Sequence, residues 1–356
     1  MISFALSEEQ EVARRAAAEF ARAELAPEAR AADEAGALPG AVLAKAWRLG
    51  FVQTIAAADE PIEQLTVLNA LLLEELGYGD CAVAVALAGP LSFVKVVAEQ
   101  GSQRQRQEWL PPFVEDAPRL AAIAQCDAGW FNGVGKSTRA ERIAGGYRLV
   151  GAKALVPLAA QSSVFLVTAE CEGAPAAFIV PCDTRGVAVA AAKGTLGLRA
   201  LAMADVAFDD VALPASARLG EEPGADIQRV LDFSRAASSA ILAGLARAVF
   251  DYALPYTKER VVHGEAIARK QSVAFKLADM HIAIQAMRWM TLRAAAELDE
   301  GGTATRSARL AQRYSAEQAM RVADEGVQLF GGHGFTRDLP LEMWCRNARS
   351  LSVLDG

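Results

Sequence analysis

Few side chains in this sequence are spaced to do chemistry, and the most tempting set fails on spacing. Gly129-Trp-Phe-Asn-Gly-Val-Gly-Lys136-Ser137-Thr138 ends in the Gly-Lys-Ser of a phosphate-cradling loop. That loop needs four residues between its first glycine and Gly-Lys. Here five intervene, Trp130 to Val134. No helix pattern follows before Tyr147 to offer an N-terminus to a phosphate, so the stretch reads as a loop. His263, His281 and His333 lie far apart and form no H-E-x-x-H; no metal site is expected. No G-x-S-x-G elbow anchors serine-hydrolase chemistry. The five cysteines (Cys81, Cys126, Cys171, Cys182, Cys345) are odd in number and lack a C-x-x-C. That argues against a zinc site or a disulfide framework and leads to an expected cytoplasmic location.

Two stretches remain. Gln328-Leu-Phe-Gly331-Gly332-His-Gly334-Phe335 sets three glycines beside a helix end, where bare backbone N–H groups can approach an anion closely. A helix C-cap with a tight turn is the plainer reading. Lys258-Glu-Arg260-Val-Val-His-Gly264 could likewise be no more than a charged helix end.

The elements that must position these residues follow from composition and periodicity. The chain has 356 residues, 53% hydrophobic and 22% charged, with formal net charge −7. This is a globular composition large enough for two or three domains. No basic patch marks a nucleic-acid partner. The most apolar run, Cys81 to Val97, is interrupted by Gly89-Pro90 and carries Lys95. It reads as buried helix too short and broken to span a bilayer, and no membrane or targeting segment is expected.

Residues 1–118 read as helical. Ser7 and Gln10 form a capping box for a helix to Leu25, with Pro27 after its end. Val42, Leu43, Ala46 and Trp47 carry a second stripe closed by Gly50. Thr66 to Leu76 is a third helix, stopped by Gly77. Residues 119–222 change to short strand-like runs at Tyr147–Val150, Val164–Thr168, Ala177–Val180, Val187–Ala190 and Val206–Phe208. With no helices between them they read as an antiparallel β-domain. Residues 223–356 return to helical periodicity over Ile227–Tyr256, Gln271–Asp299 and Ser307–Leu329, long enough for an antiparallel bundle. The fold class is α+β: helical, β and helical parts in that order.

Taken as an ordered set, the motifs resemble the flavin-dependent acyl-CoA dehydrogenases from end to end. The resemblance rests on Leu6-Ser-Glu-Glu-Gln, Glu74-Glu-Leu-Gly77, Leu198-Arg199, Phe208-Asp-Asp-Val211, Leu213-Pro214, Leu219-Gly220 and Leu231-Asp-Phe-Ser-Arg235. Glu259-Arg260…Gly264, Gln271, Ala278-Asp-Met280 and Gln328…Gly331-Gly332 complete it in family order. The resemblance implies an N-terminal helical domain, a β-domain and a C-terminal four-helix-bundle domain. It also implies FAD at a subunit interface, an acyl-CoA substrate and an electron-transfer flavoprotein or similar acceptor. In this chemistry a carboxylate removes the proton α to the thioester carbonyl and the flavin takes a hydride from the β carbon. The family's base, a Glu within Tyr-Glu-Gly, aligns with Leu354-Asp355-Gly356, so Asp355 is the expected base and Gly356 lies beside the substrate. Asp is one methylene shorter, and a displacement of ~1 Å can cost roughly 100-fold in rate. Nitroalkane oxidases of the same superfamily use Asp there. The family's Thr-x-x-Gln flavin contacts and last helix would fall beyond Gly356, so the C-terminal domain is expected to lack that helix. Asp232 and Arg235 match substrate-contacting positions, with a buried ion pair as the alternative for Arg235. Ser234 holds the place where some members carry the base.

The departures form a pattern. The family's flavin-edge Thr-Glu-Pro-Gly reads Cys126-Asp127-Ala128-Gly129 here, and its Trp-Ile-Thr reads Leu155-Val156-Pro157. Proline has neither hydroxyl nor N–H to donate. The resemblance assigns Arg260, Gln271, Gln328, Gly331 and Gly332 to the adenosine and pyrophosphate of a neighbouring subunit's FAD, and these are kept. The expectation is an acyl-CoA dehydrogenase subunit that completes the FAD site of a second dehydrogenase subunit in an α2β2 heterotetramer. Such heteromers are similar to those of steroid side-chain degradation. An autonomous homotetramer using Asp355, or a non-catalytic acyl-CoA-binding or structural subunit, stands as the alternative. The small residues Ala82, Ala84, Ala86, Ala88 and Gly89 could widen an acyl pocket, or simply allow close helix packing.

Overall fold

A computed structural model describes residues 6–58, 62–128 and 137–354. The chain starts with α1 (Glu8–Phe20), whose N-cap is the expected box: Gln10 N–H donates to Ser7 Oγ and Ser7 N–H to Gln10 Oε1. The helix does not end at Pro27. It widens into a π-helical turn over Ala21–Leu25, and α2 (Ala26–Ala35) continues it. The wider turn removes the clash between the Pro27 ring and a carbonyl one turn back. Next come α3 (Gly40–Trp47), α4 (Phe51–Ala56), α5 (Leu65–Gly79), α6 (Cys81–Gln100) and α7 (Gln103–Trp109).

Gly77 is likewise no stop signal. It lies inside α5, which crosses α8 (Ile227–Glu259) at very close range. A Cβ on Gly77 would sit 2.6 Å from the Ile241 carbonyl oxygen, and one on Gly244 would sit 2.0 Å from that of Glu74. Only glycine on both helices lets the two backbones touch. α6 also runs unbroken through Gly89 and Pro90. By length and composition α6 and α8 could each cross a membrane, but both are core helices here, 72% and 61% buried in their most apolar windows.

The described residues in the middle of the chain form a seven-stranded sheet: β1 (Ala121–Ala124), β2 (Arg139–Ile143), β3 (Gly146–Val156), β4 (Val164–Cys171), β5 (Ala174–Pro181), β6 (Val187–Val189) and β7 (Ala204–Pro214). Five strands fall on the runs read from sequence. β1 and β2 were not legible, because one is four residues of mostly alanine and the other is largely charged. Most pairings are antiparallel, but β4 pairs parallel with both β1 and β2, so the sheet is mixed. β4 alternates strictly: Val164 and Leu166 enter the core shared with the helices, whereas Phe165 and Val167 enter a separate core behind the sheet.

After α8 comes a small hairpin, β8 (Val261–Val262) and β9 (Glu265–Ala266), then α9 (Gln271–Asp299), α10 (Thr305–Leu329) and α11 (Leu341–Leu351). α8 packs on α9, α10 and α11. α11 is amphipathic but was not read from sequence. It docks on the exit of the β-domain, where Leu198 N–H donates to Asn347 Oδ1 at 2.7 Å and Gly197 N–H to Ser350 Oγ at 2.9 Å. A Cβ on Gly197 would overlap the Arg346 carbonyl. Arg346 also grips buried Asp33 of α2 with both Nη atoms, at 3.0 and 2.7 Å. One short helix thereby ties the first, middle and last parts of the chain together.

Candidate functional site: a cavity where the three parts meet

A cavity of about 900 Å³, open mouth included, lies where helices and sheet converge. Its walls are Ala86, Ala88, Gly89 and Ser92 of α6, Ile123 with Gln125 and Cys126 just past β1, and Leu155–Leu158 at the end of β3. Ser234, Ala237, Ser238 and Ile241 of α8 close one side, and Leu351, Val353 and Leu354 another. The two readings of the alanine-rich stretch divide: Ala86, Ala88 and Gly89 shape the cavity, while Ala82 and Ala84 are packed in the core. Gly89 is required on the outer side as well, since a Cβ there would meet the Ala121 carbonyl oxygen at 2.3 Å. Pro90 offers no N–H to the carbonyl of Ala86.

The β-domain wall is held by a buried lysine. Lys153 Nζ donates to Asp127 Oδ1 at 2.7 Å, to the Gln125 carbonyl at 3.0 Å and to Thr168 Oγ1 at 3.2 Å. Thr138 donates to the same Asp127 oxygen from its hydroxyl and its N–H. Burial pushes the Lys153 ammonium below its usual range, with Asp127 opposing. This pin joins β1, β3 and β4 next to the cavity. Just beyond it the β3–β7 register slips between Lys153 and Val156, and Leu155 adopts a left-handed φ of 53°. Such a conformation costs a leucine on the order of 1–3 kcal/mol. The bulge lets consecutive residues Ala154 to Leu158 all reach the cavity wall.

Polar groups in the wall are few. Gln125 Nε2 donates to Ser234 Oγ at 3.3 Å, while Gln125 Oε1 is buried without a partner. Burial pushes the Cys126 thiol up, so it is a poor nucleophile. Among the described residues no carboxylate lines the cavity. Asp355 and Gly356, the expected base and its neighbour, lie outside the described residues, as does the Gly129–Lys136 stretch. Leu354, next to Asp355 in the chain, does line the cavity.

Asp232 and Arg235, expected to touch substrate, form the alternative buried ion pair in this structure. Both are buried, neither lines the cavity, and Arg235 Nη1 pairs with Asp232 Oδ1 at 3.1 Å. Thr305 Oγ1 and Gln228 Nε2 also donate to Asp232. Asp232 reaches Thr305 at the start of α10, whereas Ser234, Ala237 and Ser238 of the same helix line the cavity. Motif position identified the helix, and helical phase decided which residues meet the cavity.

The other expected contacts sit on the outer face. Arg260 caps α8, Gln271 starts α9, and Gln328, Gly331 and Gly332 close α10; all five are exposed. An aromatic stack holds two of these ends together. Phe330 lies on Tyr256 with ring centroids 3.9 Å apart and on Tyr252 at 5.4 Å. Sequence gave no hint of this clamp, because the rings lie on helices separated by more than seventy residues. Gly331 has φ +58°, and nothing stands within 4 Å of where a Cβ on Gly331 or Gly332 would be.

Profiles of all three acyl-CoA dehydrogenase domains match the chain: the N-terminal domain over residues 7–117, the middle domain over 122–211 and the C-terminal domain over 225–356. The chain belongs to the acyl-CoA dehydrogenase family. It is 28% identical over 370 residues to a short-chain specific mitochondrial acyl-CoA dehydrogenase of Rattus norvegicus, covering 99% of this chain and 88% of the relative. Its fold is that of butyryl-CoA dehydrogenase from Megasphaera elsdenii, with TM-score 0.89, 28% identity and coverage of 100% and 96%. A glutaryl-CoA dehydrogenase from Mycobacterium smegmatis, solved in complex with FADH2, shares the fold at 23% identity and TM-score 0.86, with 99% and 92% covered. These acyl-CoA dehydrogenases place the chain among FAD-dependent oxidoreductases.

The residues present fit that cofactor unevenly. The outer ledge fits its anionic end: Arg260 has no carboxylate partner among the described residues, and the Gly331-Gly332 turn is bare of side chains. The cavity wall offers the orphaned acceptor Gln125 Oε1, ready for an N–H donor, but no side-chain hydroxyl at Leu155 or Pro157.

Proposed function

We propose that this chain is an acyl-CoA dehydrogenase subunit that desaturates an acyl-CoA at the α,β bond and works in an oligomer where FAD is shared between subunits. The observation that carries this reading is the outward ledge of Arg260, Gln271, Gln328, Gly331 and Gly332. It turns away from the chain's own cavity and is flanked by exposed Val261, Phe275 and Phe335, at 59%, 62% and 68% exposure. Apolar surface around an anion-binding ledge suits a neighbouring subunit. The stripped flavin wall at Leu155 and Pro157 supports a heteromer in which the neighbour is a second dehydrogenase with a complete ring pocket.

When bound, FAD supplies the acceptor for the β-hydrogen. This chain's part is to seat the acyl group between α6 and α8, exclude water with the Leu351–Leu354 wall, and present a base. Among the described residues no carboxylate lines the cavity, and the base we assign is Asp355, which in sequence directly follows the cavity residue Leu354. An electron-transfer flavoprotein or similar protein would be the electron acceptor for that cofactor.

Two measurements test this. The visible spectrum of the chain purified alone separates the readings: no flavin favours the heteromer, whereas stoichiometric flavin bleached by an acyl-CoA favours the autonomous enzyme. In the loaded assembly Arg260→Ala should lower FAD retention by about tenfold; unchanged occupancy counts against the ledge. Asp355→Asn should abolish bleaching while thioester binding persists, and an unaffected rate removes Asp355 from the reaction. Binding of thioesters without any bleaching, even with a partner, would leave a non-catalytic subunit.

A further inference from the structure

Leu155 stands in the cavity wall on a backbone that does not suit it. Lys153 pairs with Val206 and Val156 with Ala204, so Ala154 and Leu155 together oppose the single residue Asp205. The left-handed position of such a bulge is normally given to glycine, yet Leu155 holds it at φ 53°. Leu158, at the far end of the same stretch of wall, is also left-handed, at φ 50°.

The side chain lies on the cavity side of the sheet. Val156 enters the core behind the sheet, whereas Leu155 packs on the core shared with the helices and stays half-buried. The helices give the cavity small side chains, Ala86, Ala88 and Gly89 from α6 and Ala237 from α8. On the sheet side Leu155 is the larger of the two half-buried residues in the Ala154–Leu158 stretch, beside Pro157. A leucine side chain has no polar atom, so what it recognises is the shape of an apolar group.

A second residue holds the bulge. The extra residue of a bulge is left out of the strand ladder, and the Leu155 N–H donates instead to Asp205 Oδ1 at 3.1 Å. Lys193 Nζ fixes the other oxygen of that carboxylate at 2.7 Å, and the Asp205 carbonyl accepts the Ala190 N–H at 2.9 Å. Asp205 does not itself line the cavity. Its hold on a ligand there runs through Leu155.

We infer that Leu155 limits the width of the acyl group this chain accepts, selecting a slim unbranched chain over a bulky one, and that Asp205 is the positioning residue that keeps Leu155 in place. This rests on the proposed acyl-CoA dehydrogenase role, and it names a specificity determinant of that same cavity. Glycine would relieve the backbone at this position, so a leucine kept there points to a use for its side chain. The selectivity is steric. A wider group must displace a packed wall, and a wall pinned through Asp205 to Lys193 gives way less than a free one.

The test is equilibrium binding of hexanoyl-CoA and cyclohexylacetyl-CoA, a slim and a wide acyl group, to the purified full chain. The unaltered chain is expected to bind hexanoyl-CoA about tenfold more tightly. Leu155→Ala should remove most of that preference by admitting the ring. Leu155→Gly should do the same and unfold at a higher temperature than Leu155→Ala, because glycine alone is at ease at φ 53°. Asp205→Ala should cut the preference by about threefold, and Asp205→Asn, which keeps an oxygen for the Leu155 N–H, should restore most of it. A lower unfolding temperature in Asp205→Ala with the preference unmoved would make Asp205 merely structural and overturn its positioning role. Equal unfolding temperatures of the two Leu155 variants would remove the strain on which the inference stands. A preference that neither Leu155 variant moves overturns the inference and leaves the proposed function in place. So does an unaltered chain that binds both thioesters equally, or the cyclic one more tightly. Binding of neither thioester overturns the proposed function and this inference with it.

Discussion

Single residues in this protein are best understood by what burial does to them. Asp80 caps α6, accepting the Ala82 N–H at 2.9 Å, and is 7% exposed. Burial pushes its carboxyl up to about 6, and the charge of Asp33 adds to this. In the unfolded chain the value is about 3.9. The folded state therefore holds the proton more tightly between those limits. Its favourable contribution is complete below pH ~4 and is lost as pH rises through about 6. Asparagine caps a helix about as well as aspartate and carries no charge to bury. Asp80→Asn should stabilise the protein by about 1–2 kcal/mol at pH ~7 and by almost nothing at pH ~4. Denaturant titrations at the two pH values check this, and an equal change at both would mean that charge burial is not the cause. At the same scale the sequence marked Asp232 and Arg235 as substrate contacts, with a buried ion pair as the alternative for Arg235, and the fold forms that pair. Their types reveal a need for partners, but only the fold shows that each is the other's partner.

Helices and strands were legible wherever local chemistry decided them. The Ser7–Gln10 box, the Gly50 boundary and the Gln271–Asp299 helix needed nothing beyond their own residues. Local signals misled where packing overruled them. Pro27, Gly77 and Gly89-Pro90 all carry helix-breaking types, and all three sit within continuous helix. For Gly77 the reason is the α5–α8 crossing, which predicts an unusual result at Gly244. Alanine is normally better than glycine inside a helix by about 1 kcal/mol. Here its Cβ would lie 2.0 Å from the Glu74 carbonyl oxygen, and overpacking of this kind costs roughly 1–3 kcal/mol or more. Gly244→Ala should therefore be destabilising overall by about 1–2 kcal/mol, measured by thermal or urea unfolding. A gain in stability would show that the two helices separate cheaply. The same crossing involves a buried charge cluster, where Arg247 reaches both Glu74 and Glu75, and Arg288 and Arg14 approach from α9 and α1. Burial raises the Glu74 carboxyl, with Arg288 and Arg247 opposing.

At the scale of the whole molecule the cavity exists only because three parts of the chain are locked together. Arg346 is central to that lock. Besides Asp33 it holds Glu342 through Nε at 2.7 Å and the Leu196 carbonyl at 3.1 Å. Arg346→Met should cost about 3 kcal/mol, because Asp33 is left buried with only Arg199 at 4.0 Å. Loss should concentrate in α11 and the residues after it. Hydrogen exchange of residues 341–354 should then speed up ahead of the bundle, and uniform exchange across all helices would contradict that local role. Since Leu351, Val353 and Leu354 wall the cavity, thioester affinity should fall alongside.

By itself the sequence determined the order of helical, β and helical parts, the family and most element positions. These depend on periodicity, capping and motif order, which are properties of neighbouring residues. The tertiary structure alone decided which side chains meet. It turned Ser234 rather than Arg235 toward the cavity and set Phe330 against Tyr256 to join the ends of α8 and α10. Those meetings depend on helical phase and on backbones that glycine allows to touch, and neither quantity is written in any local stretch of residues.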